Sequence, residues 1–156
     1  MKYKLIELLC VACAVVFIVF SVLSQSGSKK SAPEIYEEMC ERTDFTDGLS
    51  LRDNTDFKKA FSLSADDFES IVYYSSDDVM NVNELLIIKA RDGSSIQDAA
   101  EKIKAHVSES YDIFSGYAPE QGEFLKNYVL ETNSNTLFFF VGGESEAAQD
   151  AFHDAL

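Results

Sequence analysis

The sequence predicts an α+β fold: an N-terminal transmembrane helix, then one small domain with a four-stranded antiparallel or mixed sheet packed by helices. Three observations carry this reading. Residues 8–23, LLCVACAVVFIVFSVL, form an apolar run in which only Ser21 is plainly polar. Residues 94–114 repeat apolar side chains at three- and four-residue intervals, the period of a helix with one buried stripe. Residues 71–74, 85–88, 128–132 and 136–141 are short β-branched, aromatic and aliphatic runs, the composition of strands.

The apolar run comes first. Sixteen helical residues rise about 24 Å, short of a hydrocarbon core of roughly 30 Å, and extension to residues 5–24 completes the span. Glu7 then sits near the interface, where a carboxylate reaches water. Residues 1–4 form a short tail carrying Lys2 and Lys4, which favours an inside start and a domain outside the cytoplasm. A cleaved signal peptide is the rival, with Ser24-Gln25-Ser26 as a small-x-small exit. Against it, the run exceeds the usual apolar length and Glu7 interrupts the basic start. Lipid attachment at Cys13 fails, because ten further apolar residues would open the mature chain. The expectation is an uncleaved single-pass anchor in the cell membrane, with the lipid bilayer contacted through residues 5–24.

Charge narrows the partners. Residues 31–156 hold nine basic and twenty-six acidic side chains, a net charge of −17. Such a field repels phosphate backbones, so nucleic acid is excluded as a partner. Cys10 and Cys13 lie inside the apolar run, and Cys40 has no partner within the domain, so no disulfide framework is expected. His106 and His153 stand apart from any Cys/His spacing that binds zinc. No metal ligand set, cofactor motif or catalytic residue is assigned.

Residues 25–31, QSGSKKS, read as a flexible polar linker, and residues 32–156 as the acidic α+β domain. Ser31-Ala32-Pro33-Glu34 has capping-box spacing with proline in the first turn, and Ile35, Tyr36, Met39 and Cys40 then share a helical face. Residues 44–54 read as a loop, and residues 55–61 as a short helix burying Phe57 and Phe61. The strands at 71–74 and 85–88 are joined by a stretch too long for a tight hairpin, in which Met80 and Val82 fold back on the domain. Alternation sends one of Tyr73 and Tyr74 inward and the other outward.

Ser94 with Gln97 and Ser95 with Asp98 both fit capping boxes for the long helix. Gly116 reads as its left-handed cap. Pro119 opens a second helix, with Phe124, Leu125 and Tyr128 turned inward. Asn133-Ser134-Asn135 joins the last two strands in a hairpin. Residues 137–141, LFFFV, lack alternation and so read as buried on both faces. A helix over 144–156 closes the chain, with Ala148, Ala151, Phe152 and Ala155 on one side.

Several stretches together resemble a bacterial extracytoplasmic family, domain of unknown function 4358. They are Ile71-Val72-Tyr73-Tyr74, Asn81-Val82-Asn83-Glu84 leading into an aliphatic strand, and Gly116-Tyr117-Ala118-Pro119-Glu120-Gln121, followed by a hairpin and a terminal helix. The resemblance covers roughly residues 57–156 and implies surface localisation and this strand and helix order. It implies no reaction, ligand or catalytic residue.

Two features invite a functional reading. Asp66-Asp67 and Asp77-Asp78 are adjacent carboxylates, but acid/base work needs opposed geometry and separated pKa values. Tyr117, Pro119, Glu120 and Gln121 form an elbow between helices: either a structural turn, or a recognition patch from which Tyr117 and Glu120 project. They are the candidate partner-binding residues. The sequence therefore favours a non-catalytic binding or accessory module at the cell surface, meeting an envelope protein or peptide. The alternatives are a structural envelope component and an enzyme using carboxylates.

Overall fold

The computed structural model describes residues 28–41 and 43–156. The proposed anchor at residues 5–24 lies outside them. Among the described residues no helix is long and apolar enough to cross a membrane.

In chain order the elements are α1 (Ala32–Cys40), β1 (Leu49–Leu51), α2 (Asn54–Phe61), a 3-10 turn (Ala65–Asp67), β2 (Ser70–Ser76), β3 (Glu84–Lys89), α3 (Gly93–Phe114), α4 (Pro119–Lys126), β4 (Val129–Asn133), β5 (Thr136–Val141) and α5 (Ser145–Ala155). The domain is α+β, and its sheet has five strands, not four, in the order β1-β2-β3-β5-β4 with every pairing antiparallel. The additional strand is β1, inside the stretch read as a loop. Its three residues carry no period that marks a strand, and they are extended because they pair with Leu51 opposite Tyr74 and Leu49 opposite Ser76.

The centre of the sheet is β3 against β5, and β5 is buried along its whole length. Alternate side chains enter two cores. Leu86, Ile88 and Phe139 meet α2, α3 and α4 on one face. Leu85, Ile87 and Phe138 meet α1 and α5 on the other. Phe138 stacks on Phe152 of α5 at 4.7 Å, while Phe61 of α2 meets Phe139 edge-on. Helices on both faces explain the missing alternation in LFFFV. They also correct the expectation that one of Tyr73 and Tyr74 faces outward: Tyr73 is buried, and Tyr74 is half-buried and stacked on Tyr36 of α1 at 4.9 Å.

Two caps differ from expectation. The N-cap of α3 is Asp92, which accepts hydrogen bonds from the backbone N–H groups and the hydroxyls of both Ser94 and Ser95. A carboxylate is the stronger acceptor, so the serines donate to it instead of capping. Those bonds bring the Asp92 carboxyl down to about 2. Gly116 is not left-handed; Gly48, at φ 76°, is the glycine held in that region.

The two ends of the domain differ in kind. At one end lie the β2–β3 connection, the end of α3 and the β5–α5 junction, placed there by Glu84 pairing with Val141 and Leu49 with Ser76. At the other lie the β4–β5 turn, the start of α3 and the last turn of α5, around Lys89 opposite Thr136. Residues 28–31, the last part of the expected flexible linker, are bound to this second end. Lys30 donates to the Ala155 carbonyl at 2.8 Å and pairs with Glu38. Lys89, only 2% exposed, donates to the Ser28 carbonyl, to Asn135 Oδ1 and to Thr136 Oγ1. A buried ammonium requires such acceptors, so the strap is part of the fold. Burial holds the Lys89 pKa below its ordinary value.

A second polar strut joins the layers on the opposite face. His106 of α3 meets Glu84 of β3 at 3.1 Å, beside the rings of Phe61 and Phe139. Burial opposes the charged imidazole. The hydrogen bond and charge of Glu84 and the Ala60 carbonyl outweigh that, and the His106 pKa is raised above 6.5. A raised folded pKa contributes stability that is complete below pH 6.5 and disappears as pH rises through the folded value. The melting temperature should therefore fall as pH is taken from about 6 to about 9, and His106→Gln should flatten that part of the profile. An unchanged slope in the variant would remove His106 as its source.

Candidate functional site

The end opposite the strap gathers the side chains that no internal contact explains. Five large hydrophobic residues are at least half exposed: Leu51, Val79, Met80, Ile113 and Tyr117. Leu51 lies on edge strand β1; the other four all belong to this end. Val79 and Met80 sit in the β2–β3 connection, where Asp78 Oδ1 accepts from Met80 N–H and the Asp78 carbonyl from Asn81 N–H. This local turn presents Val79 to solvent at 85% exposure. Met80 is therefore corrected from folded back to exposed, while Val82 is buried as expected.

The elbow between α3 and α4 supplies the other half. The end of α3 is closed by Tyr117 N–H and Ala118 N–H donating to the Phe114 carbonyl. Pro119 begins α4 after Ala118 at φ −131° and ψ 73°, outside the helical region that a following proline disfavours. Gly122 is buried where α4 crosses α3, and a Cβ there would come within 3.3 Å of Ser115 Cα. Gln121 reaches across, its Oε1 accepting from Val82 N–H at 2.9 Å. That bond ties the β2–β3 connection to the elbow.

The four candidate residues thus separate into two roles. Pro119 and Gln121 shape and fasten the elbow. Tyr117 and Glu120 are exposed, with the Tyr117 ring tilted against Phe114 at 5.4 Å. Ile113 and Val79 are exposed at the same end of the domain and were not singled out by sequence reasoning. Ile113 could have been found, because it falls outside the Ile96–Ile103–Val107–Tyr111–Phe114 stripe that packs on the sheet.

Carboxylates surround this apolar group. Asp78, Glu109, Asp112 and Glu120 are exposed, and none is in an ion pair among the described residues. The nearby cations are engaged. Lys126 pairs with Glu123 at 2.6 Å and lies over the Tyr111 ring, and Arg52 pairs with Asp77 at 2.8 Å. Ser50 and Arg52 hold the Asp77 carboxyl below its ordinary value.

The paired aspartates do not converge on a reacting centre. Asp77 belongs to the Arg52 and Ser50 cluster, and Asp78 to its own turn. Asp66 and Asp67 are exposed in the 3-10 turn. Between α1 and α5 an open groove of about 530 Å³ is lined by Glu38, Glu41, Asp150 and Asp154 over Met39 and Phe45. Among the described residues no three His, Cys, Asp or Glu side chains are grouped to hold a metal ion.

A family model described as Domain of unknown function (DUF4358) matches residues 41–142. The matched span begins before the resembling stretches and stops short of α5, so it contains the whole sheet and the elbow. No curated protein and no solved structure matches the chain.

The division of roles is testable by stability. Gln121→Ala leaves the buried Val82 N–H without its acceptor and should cost about 1–3 kcal/mol in urea unfolding. Glu120→Ala should leave the transition within a few tenths of a kcal/mol, as for a side chain that touches solvent alone. Equal effects would mean that the elbow is not divided in this way.

Proposed function

The chain belongs to the family described as Domain of unknown function (DUF4358), and on that premise we propose that it is a membrane-anchored, extracytoplasmic binding module. Residues 5–24 hold it in the cell membrane, and the elbow end meets an envelope protein or peptide. The observation that carries the reading is the polarity of the domain. The strap that follows the anchor is fastened at the Lys89 end, while Val79, Met80, Ile113 and Tyr117 are exposed at the other. Three residues, 25–27, separate the proposed span from the strap, and three residues reach at most about 10 Å, so the strap end would face the bilayer. The apolar end then points away from the bilayer, where a partner meets no obstruction. Exposed apolar side chains clustered at one end of a domain favour contact with another protein.

Full-length protein carrying a photo-crosslinking residue in place of Tyr117 should give a protein adduct in intact cells. The same residue in place of Asp154, beside the strap, should give none. The protein should stay in the pellet after alkaline carbonate extraction. A soluble product beginning near residue 27 would contradict the anchor. Identical adducts at both positions, or none at either, would contradict the binding end and favour a purely structural envelope component.

A further inference from the structure

Resting on that reading, the geometry points to the chemistry of the partner: we propose that the elbow end docks a cationic polypeptide segment carrying an apolar side chain between its charges. The apolar contact would be made by Val79, Met80, Ile113 and Tyr117. The charges would be met by Asp78, Asp112 and Glu120.

The ridge from the end of α3 to the start of α4 carries most of these side chains in order. Glu109 and Ile113 lie one helical turn apart near the end of α3, Tyr117 follows in the turn after it, and Glu120 lies in the first turn of α4. Acidic side chains therefore flank the apolar ones in chain order along the elbow. The second stretch is Asp78-Val79-Met80, held beside the first by the bond between Gln121 and Val82. Four residues from Tyr117 to Gln121 across the turn and two residues from Val82 to Met80 give a patch on the order of 15 Å across. That is the length of about five residues of extended chain.

Charge selects among occupants of that size. Among the described residues Asp78, Asp112 and Glu120 are in no ion pair, and Lys126 and Arg52 are held by Glu123 and Asp77. The wider field has the same sign, with a net charge of −17 over residues 31–156. An anionic lipid surface or a nucleic acid is repelled by both. A segment of Lys or Arg around a leucine-sized side chain satisfies both features: the carboxylates steer it in, and the apolar contact holds it. The side chains of the ridge are exposed, which suits a chain laid across them and not a small cation enclosed by ligands.

The test uses the full chain in nanodiscs of zwitterionic lipid, with empty discs as the reference. Three labelled hexapeptides serve as probes: alternating Lys–Leu, Lys–Ser and Glu–Leu. Fluorescence anisotropy at about physiological salt should show binding of Lys–Leu and much weaker binding of the other two. The Ile113→Ser/Tyr117→Ser pair should weaken Lys–Leu binding about tenfold, and Asp112→Lys/Glu120→Lys should do the same. Asp154→Lys, at the strap end, should leave it unchanged, and each variant should keep the parent melting temperature. Equal affinity for Lys–Ser, or equal loss with Asp154→Lys, would overturn the proposal in favour of attraction by net charge alone. Binding of Glu–Leu with the same dependence on Tyr117 would overturn the cationic partner while leaving the docking end standing. Insensitivity of every probe to Ile113 and Tyr117, with no adduct from position 117 in cells, would remove the binding reading itself.

Discussion

The pairing of β3 with β5 is the constraint from which the rest of the domain follows. Six consecutive register pairs, from Glu84 with Val141 to Lys89 with Thr136, lie at the centre of the sheet. Strands buried on both faces must be apolar at successive positions, and they require a helical layer on each side. The long amphipathic α3 covers one face with α2 and α4. Neither α1 nor α5 alone spans the other, and they cover it together. The three-layer arrangement is thus a consequence of LLII and LFFFV meeting in register.

The same pairing places a charge where a hydrophobe would be expected. Lys89 ends β3 on the face of α1 and α5, and its ammonium is withdrawn from water. Asn135 and Thr136 from the adjacent turn supply two acceptors, and the Ser28 carbonyl supplies the third. Burial of a cation without a carboxylate partner is tolerable only when its hydrogen bonds are made. The segment before α1 is therefore drawn into the fold, and Lys30 fastens it again to the end of α5. Under the proposed anchor, a segment held in this way gives the domain a near end and a far end. Polarity at the far end is of a different sort: the Gln121 amide joins two surface segments, and the side chains between them remain uncovered.

Much of this was legible in the residues. The unbroken apolar character of residues 137–141 indicated burial on both faces, and the three-four spacing of residues 96–114 marked the longest helix. Both read directly because burial imposes a period on side chains. What escaped was set by tertiary partners. Strand β1 is extended only because β2 is there to pair with it, so Leu49-Ser50-Leu51 carries no signal of its own. One of Tyr73 and Tyr74 was expected to face outward, but alternation does not say what lies on each side, and α1 covers Tyr74. Ser94 and Ser95 looked like caps, yet Asp92 outcompetes them as acceptor. At the elbow, Tyr117 and Glu120 could be read as projecting, whereas the inward reach of Gln121 depended on where Val82 came to rest.

The central claim is that the domain has a fixed near end and far end relative to the bilayer. Energy transfer from a single fluorophore on the full-length chain to an acceptor dye in the nanodisc lipid measures this directly. A label at Asp154 should transfer strongly and a label at Glu120 weakly, because α3 alone separates the two ends by about 33 Å. Lys89→Met with Lys30→Ser, which removes both fastenings of the strap, should bring the two efficiencies together. Equal transfer from both positions in the unaltered chain would contradict the account, since it would mean that the domain turns freely on its tether.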